Sequence, residues 1–177
     1  MKKIIFIFVF LFKCLYRVVI LFGYIFPENA FGCKIRGLIY KPLLKRCGKD
    51  FQIAIGAKLE HLYNIEVGNH VYIGCDTWIS GIRGGVRLED EVMIGPKVCI
   101  ISSNHTSING SYRFGSGIGK PIVVGRGTWI ASNVVITAGV TLGCNCLVAA
   151  GAVVKAGLYP DNSVLGGVPA SILNTKE

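Results

Sequence analysis

The chain has 177 residues, enough for one domain with a real core. Hydrophobic residues make up 51% and charged residues 16%, which excludes a disordered chain, and 23 glycines fit a fold with many tight corners. The net charge of +9 asks for an anionic partner. There is no nucleic-acid-binding motif and no basic stripe interleaved with aromatics, so nucleic acid ranks below a membrane or a phosphorylated ligand.

Residues 1–50 read as a helical, apolar and basic segment followed by a cap. Positions 4–26 are almost wholly apolar, broken by Lys13 and Arg17. The first apolar run ends at Phe12, too short for a hydrocarbon layer of about 30 Å. It is followed by no small-residue cleavage site of signal-peptide type. Lys13 and Arg17 stand four apart, on one face of a helix. The pattern favours a helix lying in a membrane interface with its cations turned to the headgroups, over one that spans the membrane or docks on the protein. Residues 34–47 are basic and amphipathic, interrupted by Pro42, and read as a cap over the first coil of a repeat fold.

From there to about residue 165 a six-residue beat sets the fold. Ile55, Val67, Ile73 and Ile79 keep the step, with His61 in one slot. After a three-residue slip it resumes at Leu88, Ile94 and Ile100, and after a longer break at Ile118, Val124, Ile130, Ile136, Leu142, Val148 and Val154. A hexapeptide repeat predicts a parallel β-helix. The aliphatic residue points inward, a small residue lets the chain turn, and three such faces close an 18-residue coil. The expected division is 1–50, a β-helix domain at 51–171 and a tail at 172–177.

The two breaks are where function is expected. Residues 80–85 add three residues to one corner, a glycine-rich bulge or a pocket wall with Arg83 or Arg87 at its lip. Residues 106–117 are thrown out directly after His105, and long excursions from compact folds are usually functional. The three histidines, His61, His70 and His105, are not spaced to meet at one corner, so no metal site is expected. An imidazole can accept a proton near neutral pH, which suits His105 to deprotonate a hydroxyl. Asn104, next to it, joins Arg83 as a candidate substrate contact. The seven cysteines lack C-x-x-C or framework spacing and read as free, mostly inert thiols of a reducing compartment. No cysteine stacks on His105, so a covalent acyl-enzyme is not expected.

The chain resembles the hexapeptide-repeat acyltransferases, in particular the sugar O-acetyltransferases that include galactoside, maltose and nodulation-factor enzymes and a branch found with surface-polysaccharide biosynthesis. The carrying residues are MIGPKV at 93–98, SNH at 103–105, TWIASNVVITAGVTLG at 128–143 and GGVPA at 166–170. The resemblance covers roughly residues 50–171 and implies a left-handed β-helix. His105 matches the general base that activates a sugar hydroxyl toward acetyl-CoA. Trp129 matches the aromatic beside the pantetheine arm, and Ser132 and the backbone at Ala150 match groups that hydrogen-bond that arm. The resemblance further implies a homotrimer with sites between subunits. The spacing agrees, because it puts His105 and Trp129 at different corners of one chain.

Departures from the family pattern are confined to a few places. Ser171 stands where Lys or Arg usually meets the CoA phosphates, which leaves Lys155 as the candidate. The turn at 155–161 reads as one residue longer than usual, Ala131 replaces a commoner Gly, and no acidic residue follows His105 closely. The expected activity is acetyl transfer from acetyl-CoA to a sugar hydroxyl in surface-polysaccharide synthesis, at the cytoplasmic face of a membrane. Acetyl transfer to an amine, on an amino sugar or xenobiotic, and a non-catalytic trimeric scaffold are the alternatives.

Overall fold

The computed structural model describes residues 2–175, with side chains from Phe10 onward except those of residues 12 and 13. The face predicted for Lys13 therefore lies outside the described residues. Helix α1 (Lys2–Phe22) leads through a 3-10 turn at Gly23–Ile25 into α2 (Ala30–Tyr40). Tyr16 and Ile20, four residues apart on α1, both touch the rest of the chain. The Tyr16 hydroxyl donates to the Ile39 carbonyl, and Ile20 packs on the core. Burial pushes the Tyr16 hydroxyl up to about 12. Phe10, Leu11, Leu15, Val18, Leu21 and Phe22 are exposed. Among the described residues no helix is long and apolar enough to cross a membrane.

Helix α2 is the cap. Asn29 caps its N-terminus by accepting from Gly32 N at 2.9 Å. Gly37 lies where a side chain would strike the Phe51 carbonyl, so only glycine lets the helix approach the first coil this closely. Arg36 is buried yet fully engaged. Its Nε donates to Ile53 O at 2.8 Å, Nη1 to Phe26 O at 3.0 Å, and Nη2 pairs with Glu28 at 2.6 Å. A buried guanidinium is tolerable when each donor is satisfied in this way.

The β-helix has about six coils and three faces. The first face stacks Arg46–Cys47, Ile65–Val67, Val86–Leu88, Ile122–Val124, Val140–Leu142 and Gly157–Tyr159. The second stacks Gln52–Ile53, Tyr72–Ile73, Met93–Ile94, Trp129–Ile130, Leu147–Val148 and Ser163–Gly167. The third stacks Lys58–Glu60, Trp78–Ser80, Cys99–Ile101, Val135–Ile136 and Val153–Val154. All stacked neighbours are parallel, and each face sends one aliphatic column inward. On the second face Ile53, Ile73, Ile94, Ile130, Val148 and Leu165 stand in register, none more than 1% exposed. The helix starts at Arg46, inside the segment assigned to the cap. Its last strand, Ala170–Thr175, folds back antiparallel on Ser163–Gly167. The end of the chain thus extends the second face as far as it is described, where a tail had been expected.

Register corrects the beat in four places. Ile53 and Leu59, rather than Ile55 and His61, fill the first coil's inward slots. Ile53 pairs with Ile73, twenty residues on, because a 3-10 turn at Leu62–Asn64 adds two residues to that coil. Ile94 pairs with Ile130, 36 residues on, so the long excursion adds 18 residues rather than 12. Ile118 is half exposed and outside the core, and the beat returns at Ile122. The coil through 155–161 spans 17 residues, from Val148 to Leu165, one fewer than the standard coil.

Candidate active site

Every enlarged corner lies on one edge of the prism, between the third and first faces. The turns at 61–64, 81–85 and 102–121 stack there, one coil above another. The other corners keep a regular step, each coil placing one residue in the left-handed region. At the corner between second and third faces these are Gly56, Asp76, Lys97, Asn133 and Gly151. The insertion edge can vary because it lies outside the aliphatic columns, so extra residues there leave the core in register.

His105 is not at the end of a hexapeptide strand. It sits on a β-hairpin in which Ser103–His105 pairs antiparallel with Gly117–Gly119, His105 opposite Gly117 and Asn104 opposite Ile118. The pairing continues outward as Thr106 N donates to Ser116 O at 2.9 Å. His105 and Asn104 are exposed, and no described side chain hydrogen-bonds the His105 ring. The hairpin tip presents Ile108, Tyr112 and Phe114 to solvent. Ser102, at the root, is buried and donates to the Ile82 carbonyl at 2.9 Å, tying the hairpin to the turn below.

Arg83 lies in that turn, in the left-handed region at φ 63°. A Cβ on Gly119 would sit 2.5 Å from Arg83 Cβ, and one on Gly117 would fall on the Arg83 guanidinium, 2.8 Å from Cζ. Arg83 therefore lies directly under the strand opposite His105. Arg87, the other candidate for that lip, belongs to the first face and faces Glu66 at 3.4 Å.

The donor-side candidates stand elsewhere. Trp129 projects from the second face between Met93 and Leu147, 43% exposed. Ser132 and Ala150 stack at the adjoining corner between second and third faces, where Gly151 N donates to Ser132 O at 2.9 Å. Lys155 is apart from them, at the far end of the third face, on the same edge as His105. One chain thus brings together His105, Asn104, Arg83 and Lys155 on one edge, and Trp129, Ser132 and Ala150 near another.

Burial pushes the Cys99 thiol up, away from nucleophilic use. Among the described residues no group of three His, Cys, Asp or Glu is placed to hold a metal ion. His70 Nδ1 stands 3.3 Å from Asp50, and His61 occupies a left-handed corner against Tyr63. The reading of the sequence missed the turn at 61–64 and the full length of the hairpin. Gly117 and Gly119, spaced two apart like a strand with one bare face, were the available signal for the latter.

No family model matches the chain. Galactoside O-acetyltransferase of Escherichia coli (strain K12) is 33% identical over 138 residues, 78% of this chain and 67% of the relative. The chain belongs to the hexapeptide-repeat acetyltransferase family. Membership makes it an acyltransferase and its coils a left-handed β-helix. Among solved structures, a galactoside acetyltransferase in complex with coenzyme A superposes with TM-score 0.78 at 25% identity, covering 92% of this chain and 79% of that one. A hexapeptide-repeat acetyltransferase of Vibrio cholerae O1 biovar eltor, complexed with acetyl-coenzyme A, gives 0.69 at 27%, covering 81% and 77%.

Proposed function

We propose that the protein transfers acetyl from acetyl-CoA to a sugar hydroxyl, with His105 as the general base. The carrying observation is an exposed imidazole, free of hydrogen bonds to described side chains, on the one long hairpin that leaves the β-helix. His105 takes the hydroxyl proton as the sugar oxygen attacks the thioester carbonyl. The C–O bond forms, the C–S bond breaks, and the departing CoA thiolate recovers the proton from the imidazolium. Oriented backbone amides stabilise the intermediate oxyanion. Trp129 flanks the pantetheine arm, Ser132 and the Ala150 backbone hydrogen-bond it, and Lys155 meets the phosphates. Asn104 and Arg83 contact the acceptor.

The working form is a homotrimer in which His105 of one copy meets Trp129 of the next. The separation of these two residues on one chain supports this, as do the surfaces of the faces. Beyond Gln52 and Lys58 in the first coil, the outward columns of the second and third faces are apolar, with Tyr72, Met93, Trp129 and Leu147 on one and Trp78, Cys99, Val135 and Val153 on the other. The first face instead presents Arg46, Glu66 and Arg87 over its first three coils, before Val123, Thr141 and Leu158. The exposed apolar sides of α1, with Arg17 among them, favour a helix lying on the inner surface of the cytoplasmic membrane. Membrane-linked glycan precursors are presented there, which suits a role in surface-polysaccharide synthesis. Radiolabelled acetyl-CoA offered with a panel of sugars tests the activity. Alkali-labile label on a sugar supports an ester, and an alkali-stable amide contradicts it.

A further inference from the structure

Charge is segregated around the prism. The corner between first and second faces carries Asp50, Glu89, Asp90, Glu91 and Asp161, five of the ten acidic residues of the chain. The turns of the edge with the hairpin carry none: segments 61–64, 81–85, 102–121, 137–139 and 155–156 contain no Asp or Glu, and Glu60, which borders the first of them, is engaged by Lys58 and Trp78. They do contain Arg83, Arg113, Lys120 and Lys155. Among the described residues no carboxylate pairs with Arg83. A cationic surface without internal partners attracts an external anion.

The hairpin register fixes where that anion would sit. His105 and Gly117 are directly opposed, so their side-chain positions share one face of the hairpin, with Cβ atoms roughly 4.5–5.5 Å apart. Gly117 has no side chain, and the Arg83 guanidinium occupies that place. Arg83 is therefore held beside the His105 side chain by a glycine gap rather than by an ion pair. It belongs to the coil before the hairpin, whereas Trp129, Ser132, Ala150 and Lys155 belong to coils after it. Along the helix axis Arg83 is on the side of His105 away from the donor candidates.

Resting on the transferase reading above, we infer that the acceptor is an anionic sugar whose carboxylate or phosphate is held by Arg83 next to the hydroxyl that His105 deprotonates. Guanidinium suits either anion because both accept its paired N–H donors. The glycine at 117 is then a specificity device, since any side chain there would push the guanidinium away from the base.

The test uses the full chain with radiolabelled acetyl-CoA and three probes: glucose, glucuronic acid and glucose 1-phosphate. Wild type is expected to prefer one anionic probe over glucose by roughly tenfold or more in kcat/KM, and which one it prefers identifies carboxylate or phosphate. Arg83→Gln, at an exposed position, is expected to melt like wild type and to lose that preference through KM. Arg83→Lys should keep part of it. Gly117→Ala, which leaves Arg83 in the chain but displaces it, should lose it as Arg83→Gln does. Equal transfer to glucose and both anions, unchanged in Arg83→Gln, overturns the inference and leaves the transferase reading standing. Absence of transfer to any sugar hydroxyl overturns both.

Discussion

Two corners of the same prism behave in opposite ways. The corner between second and third faces repeats with little variation, putting one left-handed residue in each coil and stacking Ser132 under Ala150. The edge between third and first faces adds two residues, then three, then eighteen, and places His105, Arg83 and Lys120 on what it adds. Both border the third face, whose aliphatic column of Leu59, Ile79, Ile100, Ile136 and Val154 remains in register throughout. A solenoid keeps its core with any single edge irregular, because each coil needs only its inward residues aligned with its neighbours'. Chemistry that needs a particular side-chain geometry collects on the irregular edge, and a repetitive groove collects on the regular one.

The largest expected effect breaks chemistry and leaves the solenoid alone. His105→Ala should lower acetyl transfer by about 10²–10⁴-fold. Its melting temperature and its affinity for acetyl-CoA by calorimetry should stay at wild-type values, since the residue is exposed on the hairpin. The complementary change is Ile130→Ala, between Ile94 and Val148 in the buried column. It should cost about 2–5 kcal/mol in denaturant unfolding, because a cavity opens where neither adjacent coil can collapse. Were the edge a structural element as much as the core is, the two variants would destabilise alike.

Trp129→Ala probes the regular side. It should raise KM for acetyl-CoA about tenfold, the scale of one lost aromatic contact, with a smaller change in kcat. A dominant effect on kcat would place Trp129 with the base rather than with the donor.

The smallest effect concerns pH. Asp50 is held below the usual carboxylate range first by Lys34, Glu60 by Lys58, Glu66 by Lys45, and Asp90 by the Asn69 backbone amide. Because these folded-state values are depressed, their contribution to stability is present above the unfolded values near 4 and is lost as pH falls through the folded ones. The melting temperature should be flat from pH 7 to about 5 and decline modestly below about 4, since the pairs are largely solvent-screened. None of the four lies in the enlarged turns. A steep decline beginning near pH 6 would instead implicate a histidine.

The regular side was the legible one. A beat of six at Val67, Ile73 and Ile79, or at Val124, Ile130 and Ile136, has only one close-packed solution, and the stacked columns follow from it. The first coil was misphased because Ile55 looks as suitable for the core as Ile53. Only the 3-10 turn at Leu62–Asn64, which no aliphatic spacing announces, decides between them. The hairpin was partly legible. Its start at His105 was marked by the break, but Ile118 imitated a return of the beat while standing in a solvent-exposed strand. Arg83 was singled out only as a residue at a lip. Its place beside His105 depends on an antiparallel register across twelve residues, from His105 to Gly117, information that resides in pairing geometry and not in local pattern.

The central claim is that the irregular edge of one copy and the regular groove of the next form one site. It is tested most directly by mixing two inactive chains, His105→Ala and the double variant Trp129→Ala/Ser132→Ala, unfolding and refolding them together, and measuring acetyl transfer. If the site is shared between copies, random assembly restores intact pairings at roughly a quarter of the sites, and activity rises to about that fraction of wild type. If each chain holds its own complete site, every site keeps one defect, the mixture is no more active than its parents, and the account is contradicted.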